Sequence, residues 1–399
     1  MLRMEGRRDE HCDNQVGRAP RRQVFLIAMV DSPHVARWLE MFEGCNITFV
    51  LFPSGPNRRV HATIERLARC SDSPLHVVLP WYAGLPSSFL SALDLIFGNR
   101  VKGRFLRRMM RSRAYDFIHV MEIQHAGYVL LRALGNSKCP APLITSAWGS
   151  DINWFVQFPN HKNRIRALLV RSQYFAVECE RDREVARRLG FVGEDLPGDP
   201  IAGGVDLAQL EGRARNIPPS SRKRILVKGY HRFMGRGFEA LRAVGECAEQ
   251  LEGFEVVIYS AGWRMRREAR KVAERTGLSI TTYAPHALGR EAMLNLFLTS
   301  RLYMGLSLSD GISVSMVEAM ATGCYPIQTS TSCANEWFQD GISGSLVGHP
   351  STSAAIGPLV FALTNDAVVD AAVDNNLRVI HTRLAPERIR RQSHSYYSL

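Results

Sequence analysis

Short runs of β-branched and aromatic residues recur along this chain at strand length, each followed by a polar or amphipathic stretch of helix length. This alternation constrains the fold more than any other feature. The first unit is RRQVFLIAMVDSPHVARWLEMFEG, where Val24 to Val30 reads as a buried strand and Asp31 to Pro33 as a turn. From His34 a helix follows, with Val35, Trp38, Leu39 and Phe42 on its apolar face. NITFVLFP, LHVVLPW, YDFIHVMEI, APLITSAWG and YFAVEC repeat the strand pattern. Strands that alternate with helices pair in parallel, and such sheets bind ligands outside the carboxyl ends of their strands.

Glycine and proline crowd GEDLPGDPIAGGVDLAQL, residues 193–210, which reads as a linker between lobes with the boundary near residue 205. A second alternating set follows, with KRILVKGY, FEVVIYSAG, LSITTYAP, RLYMGLSL and CYPIQTS as strands. Helices are expected around Phe238 to Gln250, Arg264 to Thr276, Arg290 to Thr299 and Ser313 to Thr322. A chain of 399 residues exceeds a domain of roughly 100 to 200 residues. The expected organisation is a flexible basic segment over 1–22, a first Rossmann-like lobe over 23–205, a second over 206–375, and a basic terminal helix with a frayed end over 376–399.

Hydrophobic content of 46% and charged content of 22% are those of a soluble globular chain. Residues 1–22 carry no apolar signal core, and Val24 to Val30 is far shorter than the roughly 20 residues of a membrane span. Neither export nor a bilayer span is expected. The eight cysteines are scattered, with no CxxC pair and no close Cys/His cluster, so the expectation is a reducing cytoplasm, thiols as small core residues and no structural metal.

Fifty Lys and Arg against 38 Asp and Glu give a formal charge of +12, which suits an acidic partner such as nucleic acid, anionic lipid or a phosphorylated substrate. Much of it lies in FGNRVKGRFLRRMMRSR, residues 97–113, where seven basic residues are interleaved with Phe and Met. Two readings stand: a solvated helix face that packs its apolar residues inward, or docking on an anionic membrane surface, where each Lys or Arg contributes about 1 kcal/mol. No helix-turn-helix, zinc finger or RNP-like strand accompanies the segment, which excludes nucleic acid as the expected partner.

Chemistry concentrates in SLSDGISVSMVEAMATGCYPI, residues 307–327. Leu302 to Leu306 reads as a strand, Ser307 to Ile312 as its exit loop, and the helix after it stops at Gly323. Gly311 lets backbone approach a ligand, and the amides of Ile312, Ser313 and Val314 at the helix start suit an anion such as a diphosphate. Asp310 and Glu318 then accept hydrogen bonds from the hydroxyls of one sugar nucleotide, Asp310 from the sugar and Glu318 from the ribose. The plainer reading is also open: Ser315 and Glu318 fit a capping box, and Asp-Gly is ordinary turn chemistry.

The same stretch, continued to SLV at 345–347, resembles the signature of the retaining glycosyltransferases of family 4, the group 1 type with the GT-B fold. That signature is E-x7-E, then E-A-M-A-x-G-x-P-[IV], then E-x3-[DN]-G-x2-G-x-L-V. It falls on Asp310 and Glu318, on Ala319, Met320, Ala321, Gly323, Pro326 and Ile327, and on Glu336, Asp340, Gly341, Gly344, Leu346 and Val347. ILVKGYHRFMGRGFEALRAV is similar to the first strand of the family's donor lobe, whose Arg and Lys neutralise the diphosphate. Tyr230 stands at the Arg position and Arg236 at the Lys position, with Lys228, His231 and Arg232 as further sources of charge. AWGSDI looks like the family's W-x-G-S-D turn and IAGGVD like its interdomain turn, with Gly203 for Asn. YDFIHVMEIQHAG resembles the D-x-[IV]-H-x-H segment, in which Met121 replaces the second His. His119 reads as structural, His125 as facing the reacting sugar, and Glu122 as polarising the acceptor hydroxyl. The turn after the first strand lacks the family's Gly-Gly pair, yet Asp31, Ser32 and His34 sit at the strand end that lines the acceptor side.

The resemblance implies two facing Rossmann-like doubly wound domains, acceptor lobe first and nucleotide-sugar lobe second, with the C-terminal helix crossing back to the first. It implies transfer of a hexose from a nucleotide-diphosphate sugar to an acceptor hydroxyl with retention, without a metal or other cofactor. Donor contacts fall to Lys228, Arg232, Arg236, Gly311, Ile312, Ser313 and Glu318, and catalytic roles to Asp310, His125 and Glu122. A glycan or lipid-linked acceptor in cell-envelope polysaccharide or glycolipid synthesis, made on the cytoplasmic face of a membrane, follows if the basic segment docks there. The alternative is a non-catalytic sugar-nucleotide-binding relative, since Asp310 for Glu and Tyr230 for Arg are departures at donor positions.

Overall fold

The computed structural model describes residues 21–55, 59–70, 73–80, 101–205, 207–208 and 210–398. The expectation for the basic N-terminal segment lies, but for its last two residues, outside the described residues. Residues 97–100 of the basic run lie outside them too.

The first sheet has seven parallel strands in the order β3-β2-β1-β4-β5-β6-β7. They are β1 (Arg22–Ala28), β2 (Ile47–Pro53), β3 (Leu75–Val78), β4 (Phe117–Met121), β5 (Leu143–Ala147), β6 (Tyr174–Val177) and β7 (Glu194–Leu196). The second has six, β8 (Arg224–Lys228), β9 (Glu255–Tyr259), β10 (Ser279–Thr282), β11 (Leu302–Gly305), β12 (Tyr325–Thr329) and β13 (Ser345–Val347), in the order β10-β9-β8-β11-β12-β13. Helices cover both faces of each sheet, so the central strands read as continuous apolar runs; every residue of β2, β5, β11 and β12 is buried. Each sheet has a separate core on each face, as Phe25 with Ile118 and Leu130, or Val24 with Trp38 and Phe49, show in the first. Two doubly wound sheets face one another, as expected.

Two local expectations fail for identifiable reasons. Residues 193–210 are more than a linker, because Glu194–Leu196 adds β7 to the first sheet, pairing with β6, and Asp199–Ala202 is a short helix. Three residues of strand among glycines carry too little pattern to read. The chain end is not frayed either. Helix Pro386–Ser395 crosses back to the first lobe, and Tyr396 and Tyr397 are buried in its core against Trp38 and Phe42. The Tyr397 hydroxyl accepts from Trp38 Nε1 at 3.2 Å and lies 2.6 Å from Nδ1 of His119. Burying two aromatic rings stabilises the crossover by roughly 1.5 to 3 kcal/mol each.

No single helix among the described residues is long and apolar enough to cross a membrane. The basic segment forms helix Val101–Arg111, which buries Gly103, Leu106 and Met110 and leaves Arg104, Phe105, Arg107, Arg108 and Arg111 exposed.

Candidate active site

In a doubly wound sheet the crevice opens where the strand order reverses. In the first lobe that point lies between β1 and β4, and in the second between β8 and β11. The loops leaving these four strands carry Asp31 to His34, Glu122 to His125, Lys228 to Arg236, and Ser307 to Ser313. The topology therefore gathers every sequence-derived site residue except Glu318 at strand exits, and Glu318 lies in the helix just beyond one of them.

The donor-side group is compact. Lys228 ends β8 and faces both Asp310 and Glu318; burial alone would lower its pKa, but Tyr303, Asp310 and Glu318 hold it above the ordinary lysine value. Burial pushes the Asp310 carboxyl up to about 6, against the opposing pull of Lys228, of the Gly311 amide and of Arg181. Glu318 is raised by burial and lowered by Arg290, Arg37 and Lys228. Arg37, Arg290 and Glu318 line one cavity with Gly204, Leu294 and Val314. Its lining sets one carboxylate with two guanidiniums among apolar side chains. Gly203, at φ +82, begins the wider groove that also contains Arg37 and Arg290.

The helix after this loop runs Val314–Ala321 with Ser313 as N-cap, so Ser315 lies inside it and the capping box does not form. That removes the plainer reading of Glu318. Arg236 precedes helix Gly237–Glu246 and donates to the carbonyl of Gly235 at 3.0 Å; Arg232 is exposed on the same loop. His231 is committed to structure, stacked on Phe238 at 3.9 Å and accepting its amide, so it adds no charge to the donor side.

Three placements differ from expectation. Gly311 approaches the first lobe: a Cβ on Gly149 would fall 1.8 Å from the Gly311 nitrogen, so the AWGSDI and SDGI loops touch backbone to backbone. The Glu178 carboxyl, which enters from the end of β6, lies against the Gly311–Ile312 backbone; burial and then Asp310 raise it well above the usual range. Glu178 therefore stands beside the first amide of the expected anion site. Glu122 holds a loop together. At φ 83 and 6% exposed, it accepts the amides of Gln124 at 2.6 Å and His125 at 2.8 Å, and His125 Nδ1 at 3.1 Å. Its carboxylate holds His125 above the ordinary histidine pKa.

On the acceptor side Asp31 is exposed, and the Ser32 hydroxyl caps helix Pro33–Glu40 by accepting the amide of His34. His34 tilts against Trp148 at 5.3 Å, and burial followed by Arg37 lowers its pKa to about 4. His119 is fully buried with its pKa down to about 3, bonded to Tyr397 and Ser146, as a structural histidine.

Sequence reasoning missed the residues that join the lobes. Arg181 donates to the carbonyls of Thr331 at 2.6 Å and Asp310 at 2.9 Å. Asn153 donates to Ser309 at 3.1 Å, and Phe233 meets Trp154 and Phe155 at 6.0 and 5.8 Å. Asp151 of AWGSDI accepts the amides of Trp148 and Ile123, tying that turn to the His125 loop.

The profile described as Glycosyl transferases group 1 matches residues 211–375, which contain Lys228, Asp310 and Glu318, and a second, Glycosyl transferase 4-like, matches residues 98–179. The chain belongs to the group 1 glycosyltransferases of GT-B fold. This glycosyltransferase resembles solved structures at low identity. Sucrose-phosphate synthase from Thermosynechococcus elongatus superposes with a TM-score of 0.68 at 14% identity, covering 95% of this chain and 98% of that one. Anabaena HepE in complex with UDP and glucose gives 0.64 at 13%, covering 95% and 100%. The trehalose 6-phosphate synthase of Burkholderia multivorans gives 0.67 at 13%, covering 94% and 99%. No curated protein sequence matches significantly.

Proposed function

We propose that this glycosyltransferase moves a hexose from a nucleoside diphosphate sugar, held by the second lobe, to a hydroxyl of a glycan or lipid-linked acceptor on the first lobe, with retention of configuration. The observation that carries the reading is Lys228 facing both Asp310 and Glu318 at the switch point of the second sheet. One cation there serves a diphosphate while two carboxylates accept sugar and ribose hydroxyls on either side of it. HepE, bound to UDP and glucose, makes UDP-glucose the first donor to test.

The diphosphate is held at the Ser313 and Val314 amides, beside the Glu178 carboxyl at Ile312. Lys228 and Arg236 then neutralise the leaving diphosphate. His125, held by Glu122, donates to a sugar hydroxyl as charge builds at the anomeric carbon. The acceptor hydroxyl attacks from the face the diphosphate leaves, and its proton passes to that phosphate, without an enzymic nucleophile. Chemistry of this kind places its charge stabilisation on the chain's own cations and amides.

The exposed Arg104, Phe105, Arg108 and Arg111 on helix Val101–Arg111 support docking of the first lobe on an anionic membrane, and with it a cell-envelope polysaccharide or glycolipid acceptor made on the cytoplasmic face. The reading is tested by NMR of the product formed from an α-linked donor. An α-anomeric signal is expected, and a β-linked product would refute retention.

A further inference from the structure

Cys179 and Cys333 belong to different lobes and meet at the junction between them. Cys179 is the N-cap of helix Glu180–Arg188, and Cys333 joins two short 3-10 turns, Ser330–Ser332 and Ala334–Glu336. Their sulfurs and a carboxylate oxygen of Glu336 lie within 4.8 Å of one another. The residues are 3% and 2% exposed. Cys333 holds φ at 52, the left-handed region that side chains other than Asn and Asp rarely adopt, so a thiol stands where backbone preference favours glycine. Glu336 is not available as a metal ligand on equal terms, because its two oxygens already accept the Glu180 amide at 3.0 and 3.2 Å. The cluster is a dithiol bridging two lobes.

We propose that Cys179 and Cys333 form a redox modification site, at which a disulfide fastens the two lobes in their closed arrangement. The oxidant is a small disulfide of the glutathione class. Closed, the pair is inert: the adjoining Cys333 thiol, and then burial, push the Cys179 thiol up and keep it protonated. When the lobes part, Cys179 stands in water at a helix N-terminus beside Arg181, where a thiolate is favoured. The thiolate attacks one sulfur of the oxidant, forming a mixed disulfide and releasing the first small thiol. Closure then brings Cys333 to the same sulfur; its thiolate, having lost its proton to solvent, displaces the second small thiol. Two protein thiols are oxidised and one small disulfide is reduced. The consequence for activity rests on the donor site proposed above, since a cross-linked cleft holds its nucleotide product.

The test treats the full, reduced protein with glutathione disulfide, alkylates the remaining thiols and maps peptides without reduction. The expected result is a cross-linked pair of peptides carrying Cys179 and Cys333, lighter by two hydrogens and free of glutathione. It is reversed by dithiothreitol and absent from Cys179→Ser and Cys333→Ser. Two alkylated thiols, a lasting glutathione adduct on either one, or protection that a chelator removes would overturn the proposal, and the wild-type map decides even if a variant fails to fold. A cross-link that leaves nucleoside diphosphate release unchanged overturns the locking role. Absence of the cross-link in a protein that turns over its donor overturns the site and leaves the proposed reaction standing.

Discussion

Arg181, at the start of a first-lobe helix, donates to the main-chain carbonyl of Asp310 in the second lobe at 2.9 Å. It thereby sets the loop that carries the carboxylate, and its Nη1 fixes the neighbouring turn through Thr331. Charged hydrogen bonds of this kind are worth about 1.5 to 3 kcal/mol each. Arg181→Ala should lower kcat/KM by roughly ten- to a hundredfold, with Arg181→Lys recovering part of it. Steady-state kinetics on both variants check this, and an unchanged kcat/KM in the alanine variant would remove the positioning role.

Asp310 supplies a pH dependence whose sign follows from its burial. Its carboxyl is raised from the ordinary 3.8 to about 6, so between those values the folded protein binds a proton the unfolded chain releases. Stability from this group is therefore fully present at the acid end and declines as pH rises through that window, by roughly 1 to 3 kcal/mol. Denaturant melts of wild type and Asp310→Asn from pH 4 to 7 should show a steeper decline in the wild type, because the other raised carboxyls, Glu178 and Glu318 among them, remain in the variant; equal slopes would contradict the assignment.

In the proposed reaction Glu122 acts through His125. Because the carboxylate raises the histidine's pKa, the protonated ring persists toward neutral pH, and activity that uses it falls as pH rises through that value. Glu122→Gln should move this alkaline limb of the kcat profile to lower pH. A limb that stays in place would separate His125 from the reaction.

Tyr397 shares one hydroxyl between Trp38 and His119 in the first core. Tyr397→Phe keeps the ring and strands both partners, at about 1 to 3 kcal/mol. Thermal unfolding should show the loss, and removal of residues 396–398 should lower Tm further.

The alternation of strand and helix made both sheets legible, because buried parallel strands read as unbroken apolar runs. β7 was hidden because three strand residues between glycines carry no period, and Tyr396 and Tyr397 because a polar tail says nothing about the distant surface it covers. The candidate donor residues Lys228, Asp310 and Glu318 could be singled out because they lie in two contiguous stretches with loop and helix signals around them. Arg37, Glu178 and Arg181 were not, since each is an ordinary polar residue in a first-lobe segment until folding sets it against the second lobe. The cysteine pair escaped for the same reason: 154 positions separate Cys179 from Cys333 along the chain.

The measurement closest to the central claim is nucleoside diphosphate release from UDP-glucose and other sugar nucleotides, in wild type and in Lys228→Ala, Asp310→Asn and Glu318→Ala. If these three side chains grip one donor, the wild type releases diphosphate and each variant loses at least about tenfold in kcat/KM, equivalent to about 1.4 kcal/mol, while remaining folded by circular dichroism. Folded variants that turn over like the wild type would contradict the account.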